Sequence, residues 1–557
     1  MDIWKRLAAL ALTAVVCLST LTGCARETAG ISLAVCVGDV PVTLDPIYAE
    51  EAEDQTILVH LYENLMRVTS DGSGKTTVTN GMAKSVSQDA NYDGTVTYTF
   101  KLRSAKWSDG RAVQASDFVY AWRRLADPAS QSPYAELLSV VAGYDEARAS
   151  GDMSLLGVMA KNESTLVVVL DGNYDWFLRE VCTSPATMPL RKDVVQVLKE
   201  AADAANAQAA GEEVQRWWSD PTALVTNGAY QAISYAPETG LETAVMERYY
   251  GPRSGPQTLT FRFASTPEEA WALYEERQVD AVGQLTEERL TELMEDERWI
   301  GIPELGTYSV IYNCDVFQDP VVRRALSLCI DRNTLAEIAG ATARPAEGLV
   351  PFGVPESETG DFRTESSPLL DNSPELYGEN CALARQLLGE AGYDSGANLG
   401  QLEYLYLDSG SHGAVAEALC EMWRSALDLD ITPRGVTEQE LWSALRSGQY
   451  SIAGAKLGAA GNDAECFLMQ WTTDSTGNVA RYANSAYDTL MSIIASAPDG
   501  TARMGCLHDA EELLLMDHAL APLYNRNSDW QLRGSLMGGA RDARGWFIFS
   551  AVVARPN

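Results

Sequence analysis

Few residues in this chain have the type and spacing that chemistry demands. The four histidines, His60, His412, His508 and His518, are too scattered to form an HExxH or HxH group, so no metal centre is signalled. Gly72-Ser73-Gly74-Lys75-Thr76 imitates the end of a phosphate-binding loop. Thr69 stands where its first glycine belongs, however, and the stretch reads as a polar turn between two strands. A hydrolase elbow, GxSxG, is missing, and no GxGxxG follows a strand. The 77 acidic residues offer carboxylates for acid–base work, but no spacing selects a pair. Ten cysteines include no CxxC, and several, such as Cys329 in VVRRALSLCI, read as buried free thiols outside any disulfide framework. The expectation is a protein without catalytic residues, metal or cofactor.

The elements around these residues come next. A length of 557 residues fits three or four domains of about 150 residues each. Hydrophobic residues make up 46% and charged ones 21%, an ordinary globular balance. The formal charge of −35 repels phosphate backbones and anionic lipid, which argues against a nucleic-acid partner. Lys5 and Arg6 precede the uncharged run Leu7 to Leu21, which is shorter than the roughly 20 residues a membrane span needs and fits an export signal. It ends in Leu21-Thr22-Gly23-Cys24, which resembles a bacterial lipobox. That implies a signal peptide over 1–23, lipidation of Cys24 and a tether over 24–30. Acyl chains, at about 0.8 kcal/mol per buried methylene, would then anchor the chain at the extracytoplasmic face of the membrane or in the periplasmic space.

Further along, strands and helices alternate. Val96 to Leu102 alternates β-formers with polar residues, and a helix capped by Ser116 runs to Arg124 and stops at Asp127-Pro128. Lys199 to Trp218 reads as a surface helix. Leu259 to Phe263, Pro267 to Arg277 and Val279 to Val282 repeat strand, helix, strand, as do Leu402 to Leu407, Ala414 to Leu427 and Asp430 to Ile431. This rhythm predicts α/β lobes with mixed sheets.

Several segments, in order, resemble the solute-binding proteins of peptide ABC importers, the oligopeptide-binding group of solute-binding family 5. They are Leu44-Asp45-Pro46 with Leu61 to Leu65, the block Tyr98 to Ala135, Thr226 to Tyr230, Val321 to Arg332, Ala384 to Tyr393, and Ala521 to Tyr524. The resemblance implies a large two-lobed, hinged fold of the periplasmic-binding-protein type. Lobe I would cover 31–264 with an extra subdomain at about 70–190, lobe II would cover 265–525, and 526–557 would return to lobe I. It also implies a monomer that captures oligopeptides and delivers them to a permease driven by an ATPase.

The ligand anchors depart from the family. Its W-x-x-D-aromatic stretch, whose aspartate holds the peptide amino group, is replaced here by Leu457-Gly458-Ala459-Ala460-Gly461. Asn462 and Asp463 follow, and Asp463 either takes the anchoring role or simply caps the next helix. Asp54 matches a family ligand contact or lies on a solvated helix face. His412 matches a histidine near the ligand in some members, and Tyr134 is a lobe-closing aromatic that also reads as packing. The missing aspartate leaves open a non-peptide or N-blocked ligand, and a secreted peptide hydrolase is the rival from another class.

Overall fold

The computed structural model describes residues 30–70, 76–208, 214–251, 255–295, 301–356, 360–459, 461–495 and 500–556. Cys24, the signal segment, most of the phosphate-loop mimic and Ala460 lie outside the described residues.

Leu33 to Val37 is apolar without alternation, the pattern of a strand covered on both faces. Its strand Ser32–Cys36 lies inside a six-stranded sheet, parallel to Thr258–Arg262 on one side and to Ala281–Val282 on the other. Gly240–Val245 and Tyr230–Ala236 extend that sheet at one edge, and Gln531–Leu532 at the other. A second, four-stranded antiparallel sheet of Ala83–Ala90, Val96–Leu102, Thr165–Leu170 and Val158–Asn162 forms the extra subdomain. The helix beside it, Ala115–Ala126, is capped by Gln114 and Asp117 in a reciprocal box, two residues before the expected Ser116.

The other lobe is built on a mixed sheet. Its order is Arg344–Pro345, Leu520–Asn525, Gly306–Tyr312, Ile452–Gly458, Gln401–Leu407 and Asp430–Val436. Every residue of Gly306–Tyr312 is buried. Alternate side chains divide between two cores, with Tyr308, Val310 and Tyr312 in one and Ile311 in the other. The helix His412–Leu427 carries the chain from Gln401–Leu407 to its parallel neighbour Asp430–Val436, the expected crossover unit.

Lobe I reaches beyond residue 264, because Ala281–Val282 pairs with Ser32–Cys36. The chain therefore crosses between lobes after Val282 and returns after Asn525. The two crossings pair with each other: Ile302–Pro303 runs antiparallel to Asn527–Ser528, and Glu304 N–H donates to Arg526 O at 2.9 Å. A two-stranded ribbon of this kind bends more easily than the sheets it joins. The helix expected at 199–218 is Lys192–Gln208. Trp217 instead turns inward and donates its Nε1–H to Asp45 at 2.8 Å, beside the Arg124 fork on the same carboxylate.

The C-terminal return is held to lobe I through His60. Its Nδ1–H donates to Thr56 O at 2.7 Å, and its Nε2 accepts the Phe549 N–H at 3.1 Å, so the ring is neutral. Burial pushes its pKa down to about 4. A group depressed below its unfolded value of about 6.5 contributes stability that is present above 6.5 and lost as pH falls towards 4. The stability difference between the wild type and His60→Gln is expected to shrink by about 3 kcal/mol between pH 7 and pH 4. Urea unfolding at both pH values checks this, and a difference independent of pH would show that the ring does not titrate.

Candidate functional site

The lobes meet over a small cavity of about 110 Å³. Lobe I lines it with Ala49, Glu50, Gln55, Tyr134 and Ser184 to Ala186. Leu305 and Ala459 line it from lobe II, and Arg544 and Trp546 from the return segment. Gln55 Nε2–H and the Tyr134 hydroxyl both donate to Ala49 O, at 2.9 and 3.1 Å, and Gln55 also donates to the Tyr134 oxygen at 2.9 Å. These bonds fix the lip that follows Pro46. Opposite, the chain leaves the lobe II sheet at Gly458 with only small side chains, and the Gly458 carbonyl accepts Gln470 Nε2–H at 3.0 Å.

At one side of the cavity a buried ionic cluster bridges the lobes. Asp463 caps the helix Ala464–Leu468, accepting the Glu465 N–H at 2.9 Å on Oδ1. The same oxygen accepts Arg503 Nη2–H at 2.6 Å, while Oδ2 accepts Arg179 Nη2–H from lobe I at 2.9 Å. Glu465 Oε2 accepts two bonds from Arg503, at 2.7 and 3.2 Å, and the Trp176 Nε1–H from lobe I at 3.0 Å. Glu180 takes Arg179 on one oxygen and Arg544 on the other, each at 2.9 Å. Asp463, Glu180 and Arg503 are no more than 3% exposed. Burial raises the Glu465 carboxyl and the Arg503 guanidinium offsets it, whereas the two carboxylates hold Arg503 firmly protonated.

The sequence-singled residues fall in different places. Tyr134 lines the cavity. Asp463 sits beside it, with both oxygens committed to protein donors. Asn462 donates to Gly353 O at 3.3 Å within lobe II, and its buried Oδ1 has no partner among the described residues. Asp54 is fully buried and accepts the Val42 and Thr43 N–H groups, both at 3.0 Å; burial raises its pKa to about 7. It shapes the chain ahead of the lip and does not line the cavity. His412 opens its helix and stacks on Tyr308 at 4.7 Å, also away from the cavity.

Sequence reasoning missed Trp176, Arg179, Glu180, Glu465, Arg503 and Arg544. One signal was available: Asp463 and Glu465 stand in GNDAECFLMQW, an otherwise uncharged and mostly apolar stretch with no base. Two acids buried there must find cations elsewhere in the chain. Glu50 was missed as well. It lines the cavity, its carboxylate accepts no hydrogen bond among the described residues, and burial, then Glu438 of lobe II and Glu51, raise its pKa.

Residues 77–478 match the family described as bacterial extracellular solute-binding proteins, family 5, middle region. The periplasmic murein peptide-binding protein MppA of Escherichia coli is 28% identical over 513 residues, covering 90% of this chain and 89% of that protein. The probable deoxycholate-binding periplasmic protein YgiS of E. coli is also 28% identical, covering 87% and 86%. Among solved structures, Haemophilus influenzae OppA in complex with RPPGFSPFR superposes with a TM-score of 0.74 at 27% identity, covering 94% of this chain and 98% of that one.

Proposed function

The chain belongs to the bacterial extracellular solute-binding proteins of family 5, and from that premise we propose that it captures a peptide between its lobes and delivers it to the permease and ATPase of an ABC importer. The observation that carries this reading is the cavity between two lobes whose chain crossings pair as a two-stranded ribbon. Ligand held by both lobes favours closure by its differential affinity for the closed state. We take the chain to be a receptor and not a hydrolase, acting as a monomer held outside the cell by acyl chains on Cys24. The motif Leu21 to Cys24 supports the anchor, and no helix among the described residues is long and apolar enough to cross a membrane.

In this reading Tyr134, Glu50 and the backbone around Gly458 and Ala459 face the ligand. Asp463, Asn462, Asp54 and His412 support it from behind. The amino group of a peptide is then met by Glu50, whose carboxylate accepts no hydrogen bond among the described residues, in place of Asp463. Its relief of the repulsion among Glu50, Glu51 and Glu438 favours binding. Glu50→Gln is expected to weaken a free-amino tripeptide about tenfold, or about 1.4 kcal/mol, and its N-acetylated form by less than twofold. Calorimetry on both peptides checks this; equal loss for the two removes Glu50 from the role.

A second reading, a non-peptide or N-blocked ligand, is favoured by the commitment of both Asp463 oxygens to arginines. Native mass spectrometry of the protein from its own cells, followed by identification of what denaturation releases, decides between them. Peptides with free amino ends are the expected cargo. A bile-acid-like or other small molecule would overturn the peptide assignment and keep the receptor.

A further inference from the structure

A second cavity, of about 280 Å³, lies wholly within lobe II, between the start of the helix Arg332–Ala339, the segment Leu369–Tyr377 and the strand Leu520–Asn525. We propose that it binds a small oxyanion of the phosphate or sulfate class, with Arg332 as the cation that holds it.

Arg332 is 8% exposed. Its Nε–H donates to Pro522 O at 2.6 Å, which fixes the plane of the guanidinium. Its Nη1 and Nη2 make no hydrogen bond or ion pair among the described residues, although the side chain is part of the cavity wall. A buried cation without an anion is costly, and a free guanidinium edge matches two oxygens of a tetrahedral anion.

Two carboxylates, Asp331 and Asp371, line the same space, and each is engaged by donors of its own loop. Asp331 spends its carboxylate on the Asn333 and Thr334 N–H groups and the Thr334 hydroxyl. Asp371 accepts the Ser373 N–H, and Asp517 accepts Tyr482 and Asn484. Among the described residues Arg323 donates to carbonyl oxygens alone, those of Phe317, Gln318, Asp517 and His518, and Arg324 is exposed nearby. Ser373, Tyr377 and Asn380 line the same space. His518 forms the facing wall, where burial and Arg324, Arg323 and Arg332 press its pKa down to about 4.

That imidazole is a built-in reporter. An oxyanion on Arg332 offsets the guanidinium charges and lets His518 protonate more readily. With only four histidines in the chain, their ring signals are resolvable by carbon NMR, and His518→Gln assigns the one in question. The His518 midpoint is expected to rise by one pH unit or more in sodium sulfate relative to sodium chloride at matched ionic strength, with His60 unmoved. Arg332→Gln is expected to abolish the difference, and phosphate and acetate arms rank tetrahedral against planar anions. An equal midpoint in sulfate and chloride, which needs no variant, would overturn the proposal. So would a sulfate shift that survives in Arg332→Gln.

Discussion

Arg503→Met is expected to destabilise the folded protein by about 3–5 kcal/mol, because it strands two buried carboxylates at once. Arg503 is 3% exposed and is the only lobe II cation bonded to Asp463 and Glu465 among the described residues. Without it, among the described residues Asp463 keeps Arg179, whose side chain is 35% exposed, as its one cation beside the Glu465 N–H, and Glu465 keeps the Trp176 N–H. Each carboxylate then takes up a proton or draws water into the core. Either event weakens the helix Ala464–Leu468, whose first turn Asp463 caps. Urea unfolding followed by tryptophan fluorescence reads the loss. Adding Asp463→Asn and Glu465→Gln to Arg503→Met is expected to recover much of it, since removing all the charges costs less than removing one sign. If the single variant loses under 1 kcal/mol, the cluster does not bear on stability. If the triple variant is the worst of the set, the effect comes from packing.

The fold was far more legible than the site, and the reason is the range of the signal. Val96 to Leu102 alternates along a half-buried strand, and the crossover from Gln401 through Asp430 announces itself by period, so local sequence suffices for both. The lobe boundary was harder because Ala281–Val282 and the hinge strands are only two residues long, too short to carry any period. The helix Lys192–Gln208 was displaced because its Ala- and Glu-rich composition continues past its end, while the inward pull of Asp45 on Trp217 is tertiary. At the site, the partners are remote in sequence: Arg179 lies 284 residues from Asp463, and Arg544 lies 364 from Glu180. No window contains both halves of such a pair. Asp54 and His412 could be named but not placed, since a short acid or a ring at a helix start looks the same whether it faces a ligand, backbone amides or a neighbouring tyrosine.

Closure without ligand is the other large effect. Among the described residues, polar links from Trp176 to Glu465 and from Arg179 to Asp463 cross the lobes directly. The indole N–H meets a buried carboxylate, a charge-assisted bond of about 1.5–3 kcal/mol. Trp176→Phe keeps an aromatic ring beside Tyr174 and deletes that donor together with part of the buried indole's volume. The balance between open and closed lobes is therefore expected to move towards open by about 10- to 100-fold. Small-angle scattering of the ligand-free variant should give a larger radius of gyration than the wild type. Saturating ligand should return it to the wild-type value, because ligand contributes its own contacts to both lobes. Binding should weaken by the factor through which the closed fraction falls, with the loss taken at the closing step and not at encounter. An unchanged radius would mean that the ribbon of Ile302–Pro303 and Asn527–Ser528, and not the cross-lobe bonds, sets the resting angle. In that case Arg179→Gln should be silent too, which separates a stiff hinge from a latch whose second bond compensates for the first.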